Sequence, residues 1–496
     1  MNLADHLPAL QVALPLLTAP LVILLRTGFL AWLAALLASL ASLGLALLLT
    51  AAVLETGTQH YAVGGWQPPF GIALTVDGLS ALVLLLITGA SSLALAGGRQ
   101  SLRLDIDNRR APMFYGAWLI AMAGLCGIAV AGDAFNVFVF MEISSLATYI
   151  LIAAGRDRRA LSAVFKYLII GTIGATFYLI GVGFIYMMTG TLNFADMALR
   201  LNDVIETRPI IIAAGFITIG LALKAAIFPL HIWLPRAYTY APNAVTVFIA
   251  ACSTKVSIYV LLRFNYAVFH GNLLGHSDLF AVFIIPLALS GILLASAIAI
   301  YQGNLKKMLA FSSVAQIGYI ALAAGLASQT GLVAALLHMF NHALAKGTLF
   351  LCVVAFVLTS RSATIANLHG IGRRMPWTMA AFVLAGLSLV GVPGTAGFIS
   401  KWYLVVAVME VPGWGVPLVV AIIASSLMAV VYLWKFVEVA YYGEAPGDDT
   451  AAMEVALPLR TLIWVAALSN VYFGLFPQLP LALAQSGSGT LLGGLN

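Results

Sequence analysis

The chain has 496 residues, 62% apolar and 8% charged, where an ordinary soluble protein carries about 25% charged residues. With a mean hydropathy of +1.03 and repeated apolar runs of roughly 18 residues or more, nearly the whole chain belongs in a lipid bilayer. That excludes a soluble enzyme, a DNA-binding protein and a secreted disulfide scaffold, and it assigns the net charge of +6 to topology-setting loops rather than to a nucleic-acid partner.

In chain order, the N-terminal segment MNLADHLPALQVALPLL carries Asp5 and His6 where a cleaved signal would carry Lys or Arg, so the first apolar run is expected to be a retained span. Apolar runs follow at about 9–25, 29–54, 72–97, 112–131, 134–154, 163–188, 209–230, 242–268, 279–301, 306–327, 330–358, 377–409, 415–441 and 456–482. Lipid cannot satisfy free backbone groups, so each spanning run must be helical. The expectation is an all-α polytopic membrane protein of fourteen transmembrane helices. The odd-numbered connections hold fifteen basic residues, in clusters such as Arg99, Arg103, Arg109 and Arg110, or Lys306 and Lys307. Arg200, Arg208 and Arg263 are the three in or beside the even ones. The odd loops are therefore predicted to be cytoplasmic in a cell (inner) membrane, and both termini non-cytoplasmic.

An internal repeat is visible. Span five reads FMEISSLATYILIAAG and span ten reads AFSSVAQIGYIALAAG, so that Tyr149-Ile150 recurs as Tyr319-Ile320, 170 residues later. Gly174 and Phe177 recur as Gly347 and Phe350. Units five helices apart enter the membrane from opposite sides, because five is odd. Such inverted repeats place a working site at mid-membrane on broken helices. The expected organisation is 1–111 for three N-terminal spans, 112–268 and 279–441 for two inverted five-helix repeats, and 442–496 for the last helix and tail.

Charge inside these runs needs a reason, since one charged side chain at the bilayer centre costs about 2.5–3.5 kcal/mol on insertion scales. Glu142 lies well inside span five with Ser145 and Tyr149 on the same face, and is the natural partner of a deep lysine. Lys224 precedes Pro229, whose ring clashes with the carbonyl of Ala225 and should break the helix beside the lysine. Pro393, Gly394 and Gly397 stand just before Lys401 and predict a second break. His338, His342 and Lys346 are spaced by four and line one face of span eleven, while Lys255 lies mid-span in span eight. Histidine titrates near neutral pH, which suits a proton relay better than a metal, because no third ligand stands nearby. Lys166, near the start of span six, fits snorkelling to the interface as well as function.

Cys126, Cys252 and Cys352 have no C-x-x-C spacing and read as packing residues. No phosphate loop, dinucleotide fingerprint, nucleophile elbow or cluster-binding cysteine array occurs. No cofactor, no metal and no catalytic site of the chain's own are expected. The acidic stretch 444–454 lacks a histidine or further motif, which argues against an integral membrane transferase.

The segments GDAFNVFVFMEISSLATY, LKAAIFPLHIWLPRAYTYAPNAVTVFIAACSTKVSIYVLLRF, HMFNHALAKGTLFL and VPGTAGFISKWYL resemble the proton-translocating antiporter-like subunits. These are shared by respiratory complex I, membrane-bound hydrogenases and Mrp-type cation/proton antiporters. The resemblance implies fourteen helices, inverted repeats, a central hydrophilic axis and partner membrane subunits. It matches Glu142 to the family's acid in span five, Lys224 to its broken-helix lysine, Lys255 to the connecting lysine and Lys401 to the second broken-helix residue. The GDAFNVFVFMEI stretch looks most like the D-type member of the Mrp antiporters, whose expected function is exchange of protons for Na+. The alternative is a proton-pumping subunit of a redox-driven complex.

Overall fold

The structure, a computed structural model, describes residues 3–271, 279–443 and 454–493. Its helices are α1 (Leu7–Ile23), α2 (Gly28–Thr56), α3 (Gly78–Asp105), α4 (Ala111–Val130), α5 (Ala134–Ala153), α6 (Arg159–Thr189) and α7 (Phe194–Leu201). Next come α8 (Arg208–Ala225), α9 (Trp233–Tyr240), α10 (Asn243–Leu262), α11 (Leu279–Ile300), α12 (Leu305–Gly325) and α13 (Gln329–Ser360). The chain then runs through α14 (Ile371–Arg374), α15 (Pro376–Val390), α16 (Ala396–Met409), α17 (Gly415–Tyr442), α18 (Leu457–Leu475) and α19 (Gln478–Gly493). A π-helical stretch, Arg263–Val268, continues α10.

Eleven helices among the described residues are long and apolar enough to cross a membrane. Helices α18 and α19 add a twelfth if they are one span bent by 67°. The other two expected runs fall on shorter helices: the first on α1, and 377–409 on α15 and α16. Two further differences are local. Residues 73–76, taken as the start of span three, form strand β2 (Ala73–Val76), paired antiparallel with β1 (Gln59–Ala62). Gly397, expected in the second break, lies inside α16; a Cβ there would sit 1.7 Å from the Ser388 carbonyl oxygen, so glycine serves close packing rather than chain reversal. Most of the acidic 444–454 stretch falls outside the described residues, but Glu454 caps α15, accepting from the Trp377 amide at 2.7 Å.

Helix starts follow from polar caps. Asp77, Asp133, Asn304 and Ser328 accept from the backbone amides of Ser80, Asn136, Lys307 and Gly331 at 2.8, 2.7, 3.1 and 3.0 Å, and so open α3, α5, α12 and α13. The breaks follow from proline. Helix α8 stops at Ala225, the residue whose carbonyl Pro229 cannot serve, and Ala226 takes a left-handed φ of 57°. Helix α15 stops at Val390, and the reversal uses Gly391 and Gly394 at φ 93° and 86°.

The same order of neighbours occurs twice: α4 on α5, α5 on α6 and α6 on α8; then α11 on α12, α12 on α13 and α13 on α15. Helix α10 joins the two sets, packing on α8 and on α13, and α13 in turn packs on α16. Helices α6 and α8 approach closely because both contact points are glycine: a Cβ on Gly220 would meet the Gly174 carbonyl oxygen at 2.5 Å.

Candidate functional site

Lys224 sits in the last turn of α8 with 6% of its surface exposed. Its Nζ donates to Ser145 Oγ at 2.8 Å and to Glu142 Oε1 at 3.3 Å. Glu142 and Ser145 are one helical turn apart on α5, so a single face of that helix supplies both acceptors. The ion pair is asymmetric in burial, with side-chain exposures of 5% for Lys224 and 28% for Glu142. The break that follows releases backbone carbonyls, and Trp233 Nε1 at the start of α9 takes up that of Leu223 at 2.9 Å. Tyr167 stacks on Trp233 at a centroid separation of 3.9 Å and meets Tyr149 edge-on at 4.7 Å, tying α9 to α6 and α5.

Lys255, near the middle of α10, is buried and donates to the Ala250 carbonyl at 2.5 Å. Facing it on α13 are His338, His342 and Lys346, all buried. Lys255, Lys346 and His338 all lie within electrostatic range of His342. The two imidazoles are nearly parallel, 6.3 Å apart between centroids. His338 is held at both nitrogens, Nδ1 to Ser400 Oγ at 2.9 Å and Nε2 to Gln316 Oε1 at 2.8 Å. Neither nitrogen of His342 has a partner among the described residues. Lys346 donates to the Leu309 carbonyl at 2.8 Å and to Ser312. Among the described residues no three histidine, cysteine or acidic side chains cluster as a metal site.

Lys401 on α16 turns back to the second break. Its Nζ donates to the carbonyls of Leu389 and Val390 at 3.2 and 2.7 Å and to Ser426 Oγ at 2.9 Å, and it lies 4.8 Å from the Tyr319 ring centroid. The Leu389 carbonyl is free for the lysine because its partner in a continuous helix would be Pro393, which has no N–H. Sequence thus places a proline and a lysine where one creates the acceptor the other uses. Asn341, on the histidine helix, bonds the Ala396 carbonyl at 2.5 Å and fixes α16 against α13.

The packing order α8, α10, α13, α16 therefore brings Lys224, Lys255, the His338–His342–Lys346 face and Lys401 into one row of contacting helices. Lys166 is exposed on the outer face of α6 and stands apart from it. Two buried cations were not singled out from sequence. Arg263 and Asp77 form an ion pair with side-chain exposures of 4% and 1%, and Lys306, counted among the loop residues, is buried with its Nζ on the Ala241 carbonyl at 2.6 Å. The signal for Lys306 was weak because it adjoins Lys307 at the head of a span, where a topogenic charge looks the same.

Two open cavities flank this row at opposite ends of α3 and α10. One, of about 680 Å³, is lined by Asp105, Asn243, Lys306 and several arginines; the other, of about 440 Å³, by Asp77, Arg263, His60 and Thr75. At the rim of the first, Asp157 accepts from Arg159, which holds its carboxyl below the usual 3.8.

Residues 131–429 match the family described as NADH:quinone oxidoreductase/Mrp antiporter, TM. The N subunit of the NADH-quinone oxidoreductase of Desulforudis audaxviator is 41% identical over 494 residues, covering 95% of this chain and 96% of that one. The D-type Na(+)/H(+) antiporter protein of Alkalihalophilus pseudofirmus is 28% identical over 84% of this chain and 83% of its own length. Among solved structures, a chain of the membrane-bound sulfane sulfur reductase, an archaeal respiratory membrane complex, superposes with a TM-score of 0.90 at 30% identity and 98% coverage of both chains.

Proposed function

The chain belongs to the NADH:quinone oxidoreductase/Mrp antiporter transmembrane family, and on that premise we propose that it conducts protons along the row of buried basic groups as one subunit of a hetero-oligomeric membrane complex. The observation that carries this reading is the alignment of Lys224, Lys255, His342, Lys346, His338 and Lys401 on four consecutively packed helices, with a carboxylate at one end only. Each hop moves one proton from an ammonium or imidazolium to a neutral amine or imidazole. Only N–H bonds form and break, and the charge advances. Protons enter at the Lys224 break and leave by way of Lys401. Glu142 holds the Lys224 charge while the two are in contact and frees the proton when they separate. The repeated neighbour order of the two halves supports the division into repeats at 112–268 and 279–441.

The driving force has two readings. Exchange of protons for Na+ follows from the likeness of the GDAFNVFVFMEI segment to the D-type antiporter proteins. Redox-driven pumping is favoured by the relative named for NADH-quinone oxidoreductase, at 41% identity over nearly the whole chain. In either case the partners are other membrane subunits and lipid, and the site is a bacterial inner membrane with both termini on the non-cytoplasmic side. Everted vesicles carrying the chain with its co-expressed membrane subunits test both readings. Added Na+ dissipates a preformed proton gradient under the first, and an electron donor builds one under the second. A correctly inserted complex that does neither refutes proton conduction.

A further inference from the structure

Arg99 and Arg103 stand one turn apart near the end of α3 with no charge set against them. Among the described residues neither guanidinium makes an ion pair or a hydrogen bond. Arg99 instead lies over aromatic rings, its guanidinium carbon 4.2 Å from the Trp32 ring centroid and 4.9 Å from that of Phe29. Cation–π contact holds a guanidinium in place and leaves its N–H donors free. Trp32 is itself fixed, donating from Nε1 to the Leu95 carbonyl at 2.9 Å.

Two neighbouring cavities, of about 410 and 400 Å³, share Trp32, Arg99 and Arg103 in their walls, and among the described residues no acidic side chain lines either one. Tyr115, 4% exposed, lines the first, and its hydroxyl has no hydrogen-bond partner among the described residues. Two guanidiniums and a buried hydroxyl thus hold donors without an acceptor, the complement of a phosphate.

Depth in the membrane says which phosphate. Helix α2 has 29 residues and so is about 44 Å long, against a hydrocarbon core of about 30 Å. Its first turn, which carries Phe29, therefore stands at headgroup depth. Beyond that turn Leu37, Leu40, Leu47 and Leu48 are exposed along one side of α2. Phe29 heads this stripe, since Leu40 and Leu47 follow it by close to three and five whole turns. A soluble anion would leave the leucines uncovered, and an acyl chain alone would leave the donors unmatched; a phospholipid answers to both. No carboxylate is at hand for the ammonium of a zwitterionic headgroup, so the lipid's net charge is negative.

We propose that this pair of cavities holds the headgroup of an anionic phospholipid, its phosphate accepting from Arg99, Arg103 and the Tyr115 hydroxyl and its acyl chains running down the leucine stripe of α2. The site lies apart from the proposed proton row and does not depend on it.

The test titrates the intact complex, delipidated in a neutral detergent, with phosphatidylglycerol and counts bound lipid by native mass spectrometry. Arg99→Gln combined with Arg103→Gln should weaken binding by about thirtyfold, roughly fivefold for each charge removed. Tyr115→Phe, which removes a hydroxyl only, should weaken it by about fivefold. A phosphatidylglycerol with a photoreactive group on its acyl chain should label the α2 stripe in the wild type and not in the double variant. Unchanged affinity in these variants, labelling of α2 that survives the double substitution, or equal binding of phosphatidylcholine overturns the proposal. Glycerol 3-phosphate carries the phosphate without the tails and should not displace the lipid; displacement at matched concentration makes the site one for soluble phosphates and overturns the lipid assignment. Loss of a partner subunit from the double variant with the lipid count unchanged assigns the arginines to a protein contact and overturns it too. If the double variant does not assemble, Tyr115→Phe decides: wild-type affinity for phosphatidylglycerol overturns the site.

Discussion

Removing one member of the Glu142–Lys224 pair separates a conducting role from a structural one. At 3.3 Å and an effective dielectric of about 20, the attraction amounts to about 5 kcal/mol. A barrier of that height is crossed at roughly 10⁹ per second, so pulling the pair apart once per turnover does not limit a transporter. Glu142→Ala leaves Lys224 buried with Ser145 as its side-chain partner, a defect expected to cost about 3–5 kcal/mol. Lys224→Ala leaves the carboxylate, which is 28% exposed and easier to solvate, so its cost should be smaller. Both single variants should insert and lose proton transport in everted vesicles, read by dequenching of a pH-sensitive dye. The double variant Glu142→Ala, Lys224→Ala supplies the decisive comparison. It should regain much of the thermal stability lost by Glu142→Ala, since no unpaired charge remains, yet stay inactive. Wild-type exchange by either single variant, or recovery of transport in the double variant, would refute the conducting role.

Three further outcomes are expected. Lys401→Arg keeps the charge beside Leu389 and Val390 but replaces an amine that can release a proton with a guanidinium that cannot; the complex should insert and transport at least tenfold slower, and normal flux in vesicles would remove Lys401 from the relay. Gly397→Ala drives a methyl into the Ser388 carbonyl, which should cost about 1–3 kcal/mol or more and lower the melting temperature or the yield of assembled complex. Asp157→Asn should change stability little, because the Asp157–Arg159 pair has side-chain exposures of 37% and 72% and such pairs contribute about 0–1 kcal/mol. Since the folded Asp157 value lies below 3.8, its contribution is present above that pH and fades as pH falls through the folded value. The two melting curves should therefore converge under acid conditions.

The helices were legible because lipid enforces them: a run such as 330–358 has no other way to satisfy its backbone, and it appears as α13. The stop of α8 beside Lys224 was legible because Pro229 acts through local sterics. What sequence conceals is pairing at long range. Arg263 lies near the end of the apolar run 242–268, where a topogenic arginine looks the same, and its partner Asp77 lies 186 residues away. Lys306 looks like the adjacent, half-buried Lys307 until α12 is seen to bury it against Ala241. Gly397 reads as a breaker in VPGTAGF, yet its role depends on how closely α16 approaches Ser388, which only tertiary packing determines. The hairpin of β1 and β2 lay hidden for a related reason: ALTV is apolar enough to pass for the opening turn of a helix.

The repeated segments of α5 and α12 align with a 170-residue offset that sets Ser312 opposite Glu142. Lys224 is thus anchored by a formal negative charge, while Lys346 and Lys401 at the far side rest on hydroxyl and carbonyl dipoles. Duplicated scaffolds with unequal counter-charges make the proposed relay asymmetric from end to end. Along the proposed relay, a positive charge resides longer at the carboxylate end than at the end lined by dipoles alone.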